Sequence, residues 1–371
     1  MKLLITGDFY VANHEAVTID DGLKEVFTAC DYRVVNYEGP VADDHYTVLP
    51  LKSGPRLMQP TETKQLLKEL GVDALTLANN HIMDYGEAGF NKTVATLKDF
   101  TLFGAGRWDE AYRLTTIEKE GLKIGMLNFS ELQFGMLIDE WTQGSNTLGC
   151  AWVNHPRVNQ LIMESKKQVD CLVAIVHAGV EMIDVPLPEW RDRYREMIDL
   201  GCDAVIAHHP HVVQGYETYK GKPIAYSLGN FCFSMINKTN NTEWYFGAIA
   251  VLNICKDSLT FNLVGCQLDN GCLKLADIPQ WHEKRRKLCE FLADKSYMQK
   301  VNNHCNQMMY DYWSLFAMGG VISLKSLTLK NIARMILKKY NSVHLLNNIQ
   351  CESHRWCISR ALRQDSLTGE K

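Results

Sequence analysis

Short apolar runs alternate with stretches of helical spacing over the first 230 residues of the chain. In PTETKQLLKELGVDALTLANNH, Pro60 predicts the start of a helix and Leu66 and Leu70 lie on its apolar face. Gly71 ends that helix, and VDALTLA follows as a strand. The same order recurs in RDRYREMIDLGCDAVIAHHPH, where Gly201 separates a helix from the strand DAVIA. Repeated units of helix, glycine and strand predict an α/β fold built on βαβ connections.

The pattern changes after about residue 245. FGAIAVLNI and LTFNLVGCQL alternate apolar and polar positions on either side of KDS, which predicts a β-hairpin. Towards the C-terminus, WHEKRRKLCEFLADKSYMQKVNNHC and SLTLKNIARMILKKYNSVHLL carry helical spacing. We therefore expect one domain over residues 1–280 and a helical C-terminal extension over residues 281–371.

The C-terminal extension is basic, with 15 Lys and Arg against 7 Asp and Glu, whereas the rest of the chain has 24 against 36. A basic helical face can bind an acidic partner, an anionic polymer or the membrane surface, although such charge runs usually face water. The net charge of -4 argues against a general affinity for nucleic acid.

Composition and local patterns favour a globular intracellular protein, since 46% of residues are hydrophobic and 22% are charged. The first apolar run meets Asp8 too soon for a secretory signal. The longest uncharged stretch near the C-terminus has about 13 residues, below the roughly 18 that cross a bilayer. We expect a cytoplasmic protein without a transmembrane segment, whose basic helices can meet the inner face of the membrane. Its 12 cysteines include no CxxC pair and are expected to be reduced.

Metal-binding types of side chain follow the predicted strands. Carboxylate, amide and imidazole groups follow the C-terminal ends of the predicted strands: Asp8, Glu38, Asn80, His177, His209 and His211. Because the carboxyl ends of strands in an open α/β sheet share one edge, we expect these groups to converge. The set contains no thiolate, which suits Mn, Fe or Zn, and it is too large for one tetrahedral ion. Two divalent ions bridged by a carboxylate account for it.

Each of these residues also has an ordinary structural interpretation. Asp8 can cap a helix, Glu38 can lie in a turn with Gly39 and Pro40, and His177 can be a hydrogen-bonded core histidine. The coincidence at five strand ends, rather than any single residue, favours the metal site.

Six stretches carry a family resemblance: TGD (6–8), NYEGP (36–40), LANNHIMDYG (77–86), FGAGRWDEA (103–111), VHAGVE (176–181) and CDAVIAHHPHVVQGYETYKGKPIAYSLGNFCF (202–233). In these stretches the sequence resembles the bacterial capsule synthesis protein CapA family, of the poly-γ-glutamate synthesis type. That family is similar to calcineurin-like metallophosphoesterases. The resemblance implies a four-layer α/β/β/α sandwich with a dinuclear metal site at the strand ends, here followed by the helical extension.

The resemblance also implies roles for individual residues. It implies metal ligands at Asp8, Glu38 (the bridging carboxylate), Asn80, His177, His209 and His211. His81 matches the catalytic histidine, which Asp84 would orient. Position in the sequence, rather than the resemblance, adds four side chains that are expected beside the ligands or at the substrate: His208, Glu181, Glu217 and Asn230. The chain departs from the metallophosphoesterase pattern at Tyr10, where a histidine is usual. It departs from the family's usual GHHPH at Ala207 and from its common HWG at Ala178, both beside the ligands.

Three functions are consistent with the resemblance, because fold and site do not fix a substrate. The first is hydrolysis of a phosphoester during capsule or exopolymer biosynthesis, with poly-γ-glutamate or a polysaccharide as the polymer. The second is amide hydrolysis or transfer on a γ-glutamyl polymer, because two metal ions also serve amide carbonyls. The third is a non-catalytic component of a membrane-bound capsule-assembly complex, held through the basic C-terminal helices.

Overall fold

The computed structural model describes residues 1–43, 45–48, 52–235, 240–276, 278–318 and 342–368. Its strands are β1 (Lys2–Val11), β2 (Thr18–Ile19), β3 (Tyr32–Tyr37), β4 (Ala74–Thr76), β5 (Thr101–Phe103), β6 (Ala105–Gly106), β7 (Thr115–Lys119), β8 (Leu122–Ser130), β9 (Met136–Leu137), β10 (Gly149–Ala151), β11 (Cys171–His177), β12 (Ala204–His208), β13 (Tyr216–Tyr219), β14 (Lys222–Ala225), β15 (Asn230–Ser234), β16 (Phe246–Ile254), β17 (Leu259–Asp269) and β18 (Cys272–Leu275).

The α-helices are α1 (Asp21–Thr28), α2 (Lys64–Glu69), α3 (Gly86–Thr96), α4 (Trp108–Ala111), α5 (Glu140–Gln143), α6 (Arg157–Lys166), α7 (Pro188–Leu200), α8 (Ile278–Ala293), α9 (Tyr297–Met318), α10 (Ser342–Gln350) and α11 (Glu352–Thr368). Short 3₁₀ helices lie at His14–Ala16, Thr61–Thr63 and Thr242–Tyr245. The part of the C-terminal helical prediction that covers residues 326–341 lies outside the described residues.

Two large sheets form the centre of the molecule. The larger has the order β2-β18-β17-β16-β1-β3-β4-β5, with β15 pairing beside β1, and the smaller has the order β13-β14-β12-β11-β8-β7. The pairs β1 with β3, β3 with β4, β8 with β11 and β11 with β12 are parallel, as βαβ connections require. A small third sheet joins β6, β10 and β9.

Three apolar clusters place these sheets and the helices in layers. One lies between the large sheets and joins residues such as Ile5 of β1 to Ile175 of β11. A second packs α1, α2 and α3 on the outer face of the larger sheet, around Leu4 and Leu75. A third packs α6, α7 and the C-terminal helices on the outer face of the smaller sheet, around Val176. The result is the expected four-layer α/β/β/α sandwich with a helical C-terminal region.

The local predictions agree with these elements. Gly71 and Gly201 follow α2 and α7, with φ of 63° and 127°, values that side-chain-bearing residues rarely adopt. The strands β4 and β12 then begin within a few residues. The predicted hairpin is the antiparallel pair β16 and β17. Among the described residues, no helix is long and apolar enough to cross a membrane.

The strand β1 runs further than its apolar run predicts, because it changes partners near Gly7. Its first half pairs antiparallel with β16, whereas Asp8 and the following residues pair in parallel with β15. The backbones of Gly7 and Gly229 approach each other closely at this switch, where a Cβ on Gly7 would lie 1.9 Å from the carbonyl oxygen of Gly229. Only glycine fits there, and the switch places Asp8 within the sheet rather than after it.

Candidate metal centre

Polar side chains from both large sheets meet where the parallel strands end. Asp8 lies on β1, Glu38 directly follows β3, and β11 and β12 end at His177 and His208. Every residue predicted to bind metal is at most 4% exposed: Asp8, Glu38, Asn80, His177, His209 and His211. Contacts between these groups, described below, show that the fold brings them together.

Asp8 is the main link between the two sheets. Its Oδ1 accepts a hydrogen bond from Asn36 Nδ2 at 2.8 Å and lies 2.9 Å from His208 Nδ1. Its Oδ2 accepts from the backbone N–H of His209 at 3.1 Å. Burial opposes ionisation, but the imidazoles of His208 and His177 outweigh burial and hold the pKa of Asp8 well below its usual range. Asp8 is therefore an ionised acceptor, the form that binds a cation.

Glu38 is a buried carboxyl group without a hydrogen-bond donor among the described residues. Its Oε1 lies 3.9 Å from both His81 Nε2 and His211 Nε2. Burial and the charge of Asp8 raise the pKa of Glu38 well above its usual range. A buried carboxylate in this position needs a proton or a cation as compensation, so the surroundings of Glu38 favour a bound cation.

His177, at the end of β11 in the smaller sheet, contacts both the amide of Asn80 and the ring of His208. His177 Nε2 lies 2.9 Å from Asn80 Oδ1, and His177 Nδ1 lies 2.9 Å from His208 Nδ1. Burial and the neighbouring His209 lower the pKa of His177 well below its usual range. The neutral ring and the amide oxygen both keep lone pairs that can bind a metal ion.

The turn after β12 presents two histidines in an uncommon backbone conformation. The φ angles of His209 and His211 are 105° and 57°, on either side of Pro210. Residues with side chains rarely adopt such angles, at a cost of roughly 1–3 kcal/mol each. Gly179 leaves room for the turn, because a Cβ there would lie 2.8 Å from Pro210 Cγ. Backbone strain of this kind is concentrated at functional sites.

His81 is held by a buried carboxylate and a buried ammonium. Its Nδ1 lies 2.7 Å from Asp84 Oδ2 and 3.2 Å from Lys52 Nζ. Lys52 Nζ also lies 2.7 Å from Asp84 Oδ1, and the backbone N–H of Leu57 donates to Asp84 Oδ2. Burial and Lys52 lower the pKa of His81 against the opposing effect of Asp84. The shorter contact directs the Nδ1 proton to Asp84 and turns Nε2 towards Glu38.

Three of the residues expected beside the ligands lie at the cluster. Glu181, at its exposed rim, has a carboxylate oxygen within 4.8 Å of ring nitrogens of His209 and His211. Asn230 begins β15, and its Oδ1 lies 2.8 Å from His211 Nδ1. His208 is completely buried against Asp8, so its place beside the ligands also agrees with the structure.

Glu217 is not brought into the cluster. Its carboxylate accepts from Arg191 Nη2 at 2.9 Å, from Arg195 Nε at 2.6 Å and from the hydroxyl of Tyr226 at 2.7 Å. Despite partial burial, these donors lower the pKa of Glu217 to about 2. The carboxylate holds β13 against α7, and none of these three contacts joins Glu217 to the predicted ligands.

Sequence reasoning missed several side chains that touch the cluster: Asn36, Lys52, Glu131 and Gln133. Glu131 directly follows β8, so the pattern that identified the other strand ends could have found it. Asn36 lies within β3, one position before the strand ends, and forms part of an unbroken buried run. Lys52 lies in an irregular segment, where no periodic pattern marks it.

The donor groups fit divalent metal ions. Among the described residues, three overlapping sets have ligand atoms within 4.8 Å of one another: Asp8 with His177 and His208, Glu181 with His209 and His211, and Asp8 with Glu38 and His211. Buried atoms without a hydrogen-bond partner there include both oxygens of Glu38, His208 Nε2 and His209 Nδ1. Unpaired buried acceptors among carboxylates and imidazoles are what a bound cation would satisfy.

Residues 5–235 match the sequence model of a family described as bacterial capsule synthesis protein PGA_cap. The chain belongs to this family. Every side chain of the cluster from Asp8 to Asn230 lies within the matched region. The predicted family resemblance is confirmed.

Curated relatives cover part of the chain. The PGA biosynthesis protein CapA of Bacillus subtilis (strain 168) is 32% identical over 216 residues, which cover 57% of this chain and 55% of that protein. The capsule biosynthesis protein CapA of Bacillus anthracis is 31% identical over 208 residues, which cover 55% and 50% of the two chains. The chain thus spans about half the length of the curated relatives it matches.

Among solved structures, a hypothetical protein from Thermus thermophilus is similar with 12% identity and a TM-score of 0.42. The alignment covers 71% of this chain and 99% of that chain. The four layers of the present fold rest on its own sheet pairings and apolar clusters, described above.

Proposed function

We propose that this member of the capsule synthesis family is a dinuclear metal-dependent hydrolase that acts on a phosphoester during capsule or exopolymer biosynthesis. The observation that carries the proposal is the set of three overlapping ligand groups, in which Glu38 has buried oxygens without donors among the described residues. Asp8, Glu38, Asn80, His177, His209 and His211 would hold two divalent ions, with Mn, Fe or Zn favoured by the oxygen and nitrogen donors. Cations at such a site polarise a phosphoester and lower the pKa of nearby water.

The chain's own contribution to the reaction centres on His81. Asp84 Oδ2 accepts a hydrogen bond from Nδ1–H and so fixes the tautomer and the direction of the ring. An anionic phosphoester beside Nε2 favours the protonated imidazole, which then donates its Nε2 proton to the leaving oxygen. Lys52, which contacts Asp84 at 2.7 Å, keeps that carboxylate charged and in place.

The substrate class follows from family membership rather than from the site. The names of the matched relatives refer to PGA and to capsule biosynthesis, and we extend that setting to this chain. The substrate would then be a phosphoester of the polymer or of its precursors. Contact with a membrane complex through the basic C-terminal helices, and a place at the inner face of the membrane, belong to the same proposal.

Turnover of an aryl phosphate by protein loaded with Mn tests the proposal. We expect hydrolysis by the wild type, a loss of at least about 100-fold in His209→Ala, and full activity in His282→Ala, which removes an exposed imidazole of α8. Shortening of a γ-glutamyl polymer with no turnover of the phosphate would replace the proposal with amide hydrolysis. Turnover of neither substrate by metal-loaded protein would contradict hydrolysis and favour an assembly role.

A further inference from the structure

The helix α11 begins directly behind the proposed metal centre. Ser353 Oγ donates to Glu131 Oε2 at 2.6 Å, and the backbone N–H of Ser353 donates to the same oxygen at 3.3 Å. The other carboxylate oxygen, Glu131 Oε1, lies 3.2 Å from His209 Nε2. Ser353 and Glu131 are both 0% exposed. A buried path therefore runs from the first turn of α11 through Glu131 to a residue predicted to bind metal.

The neighbouring residue Glu352 fixes the start of α11 against the domain. Its Oε1 accepts from Trp152 Nε1 at 2.6 Å and from Asn154 Nδ2 at 3.1 Å. Its Oε2 accepts from the backbone N–H of Leu132 at 2.7 Å. These bonds reach residues on either side of Glu131 in the fold, so the first turn of the helix cannot move away from Glu131 without breaking them.

The direction of the Ser353 hydroxyl proton is also determined. Trp190 Nε1, which can only donate, lies 2.9 Å from Ser353 Oγ. The serine oxygen therefore accepts from Trp190, and its single proton points to Glu131. Both hydrogen-bonding functions of this buried hydroxyl are used, one of them to hold the carboxylate.

Holding Glu131 in place also fixes the orientation of the His209 ring. With Nε2 facing Glu131, the other nitrogen, Nδ1, is buried and has no hydrogen-bond partner among the described residues. A carboxylate that accepts the proton of one ring nitrogen fixes the tautomer and leaves the lone pair on the other nitrogen for a metal ion. If a cation is bound, Nδ1 is the nitrogen that would hold it.

We propose that the first turn of the C-terminal helix is a working part of the metal centre, with Ser353 and Glu131 as positioning residues that hold Nδ1 of His209 towards a cation. The inference rests on the proposed dinuclear site. It extends that site beyond residues 5–235, the region that matches the family, and makes the helical extension necessary for tight metal binding.

Mn affinity, measured by calorimetry on the full chain after metal removal, tests the inference. Ser353→Ala and Glu131→Gln should each weaken the binding of one Mn by about 10- to 100-fold. The double variant should bind no more weakly than Glu131→Gln, because Ser353 acts through Glu131. Arg360→Ala is the matched control, since it breaks the ion pair of the same helix with Glu189 and should leave Mn affinity unchanged.

The outcomes separate this inference from the proposed function. Two Mn bound by the wild type and by Ser353→Ala with equal affinity would overturn the inference and leave the proposed function standing, as would additive losses in the double variant. A wild type that binds no Mn would overturn both. If circular dichroism shows that Ser353→Ala is unfolded, Glu131→Gln decides, because it keeps the side-chain volume, and an unchanged affinity in that variant overturns the inference.

Discussion

Lys52 carries a buried positive charge that is compensated by the carboxylate of Asp84. Its side chain is 2% exposed and lies 2.7 Å from Asp84, which is fully buried. Burial lowers the pKa of Lys52 although Asp84 opposes the change. Removing one member of a buried ion pair leaves the other without compensation.

We therefore expect Lys52→Met to lower the free energy of unfolding by about 3 kcal/mol, measured by urea denaturation of metal-free protein. Lys24→Met is the control, because Lys24 is 32% exposed in its pairs with Asp21 and Glu69, and its replacement should change the free energy of unfolding far less. Equal losses in the two variants would contradict a buried pair at Asp84.

A variant of His81 can distinguish a loss of catalysis from a loss of metal binding. Its ring contacts Asp84 and Lys52, and its Nε2 lies 3.9 Å from Glu38. His81→Ala should lower turnover of an aryl phosphate by about 100-fold or more while metal content, measured by mass spectrometry, stays at the wild-type level. Loss of metal in this variant would assign His81 to the ligands instead.

Individual site residues were predictable where strand ends mark them. Asp8, His177 and His209 could be placed together from sequence because each follows or ends an apolar run in a parallel sheet. Lys52 could not, because it reaches the site from an irregular segment, and its contacts with His81 depend on tertiary packing. Nearness in sequence did not bring Glu217 to the cluster, since β13 carries it to α7.

At the scale of elements, local patterns predicted individual helices and strands better than they predicted which strands pair. The alternation in β16 and β17 and the glycines after α2 and α7 are local signals, and these elements formed where expected. The parallel pairing of β15 with the second half of β1 has no local signal, because it depends on the close approach of Gly7 to Gly229.

The bonds from Arg191 and Arg195 to Glu217 link α7 to β13 and give a pH-dependent stability. The pKa of Glu217 is lowered from 4.5 to about 2, so the stabilisation is complete above pH 4.5 and is lost as the pH falls towards 2. Glu217→Gln should cost about 2 kcal/mol at pH 6, and the difference from wild type in urea unfolding should shrink between pH 5 and pH 3. A difference that stays constant over this range would contradict the charge-based contribution.

At the scale of the whole molecule, the C-terminal helices share the apolar core of the smaller sheet. Leu292, Val301 and Cys357 pack in the same cluster as residues of α6 and α7, and α11 touches Glu131. The boundary predicted near residue 280 stays a prediction. Basic charge and helical spacing are the signals that the sequence carries there, and neither of them specifies a docking face.

The proposed function depends on a dinuclear metal centre at the strand ends. The most direct measurement is metal content per chain, by mass spectrometry on protein purified without chelator, beside the double variant His209→Ala/His211→Ala. About two equivalents of Mn, Fe or Zn in the wild type and loss of metal in the variant are the expected result. No metal in either protein, even after incubation with Mn or Zn, would contradict a metal centre in this protein.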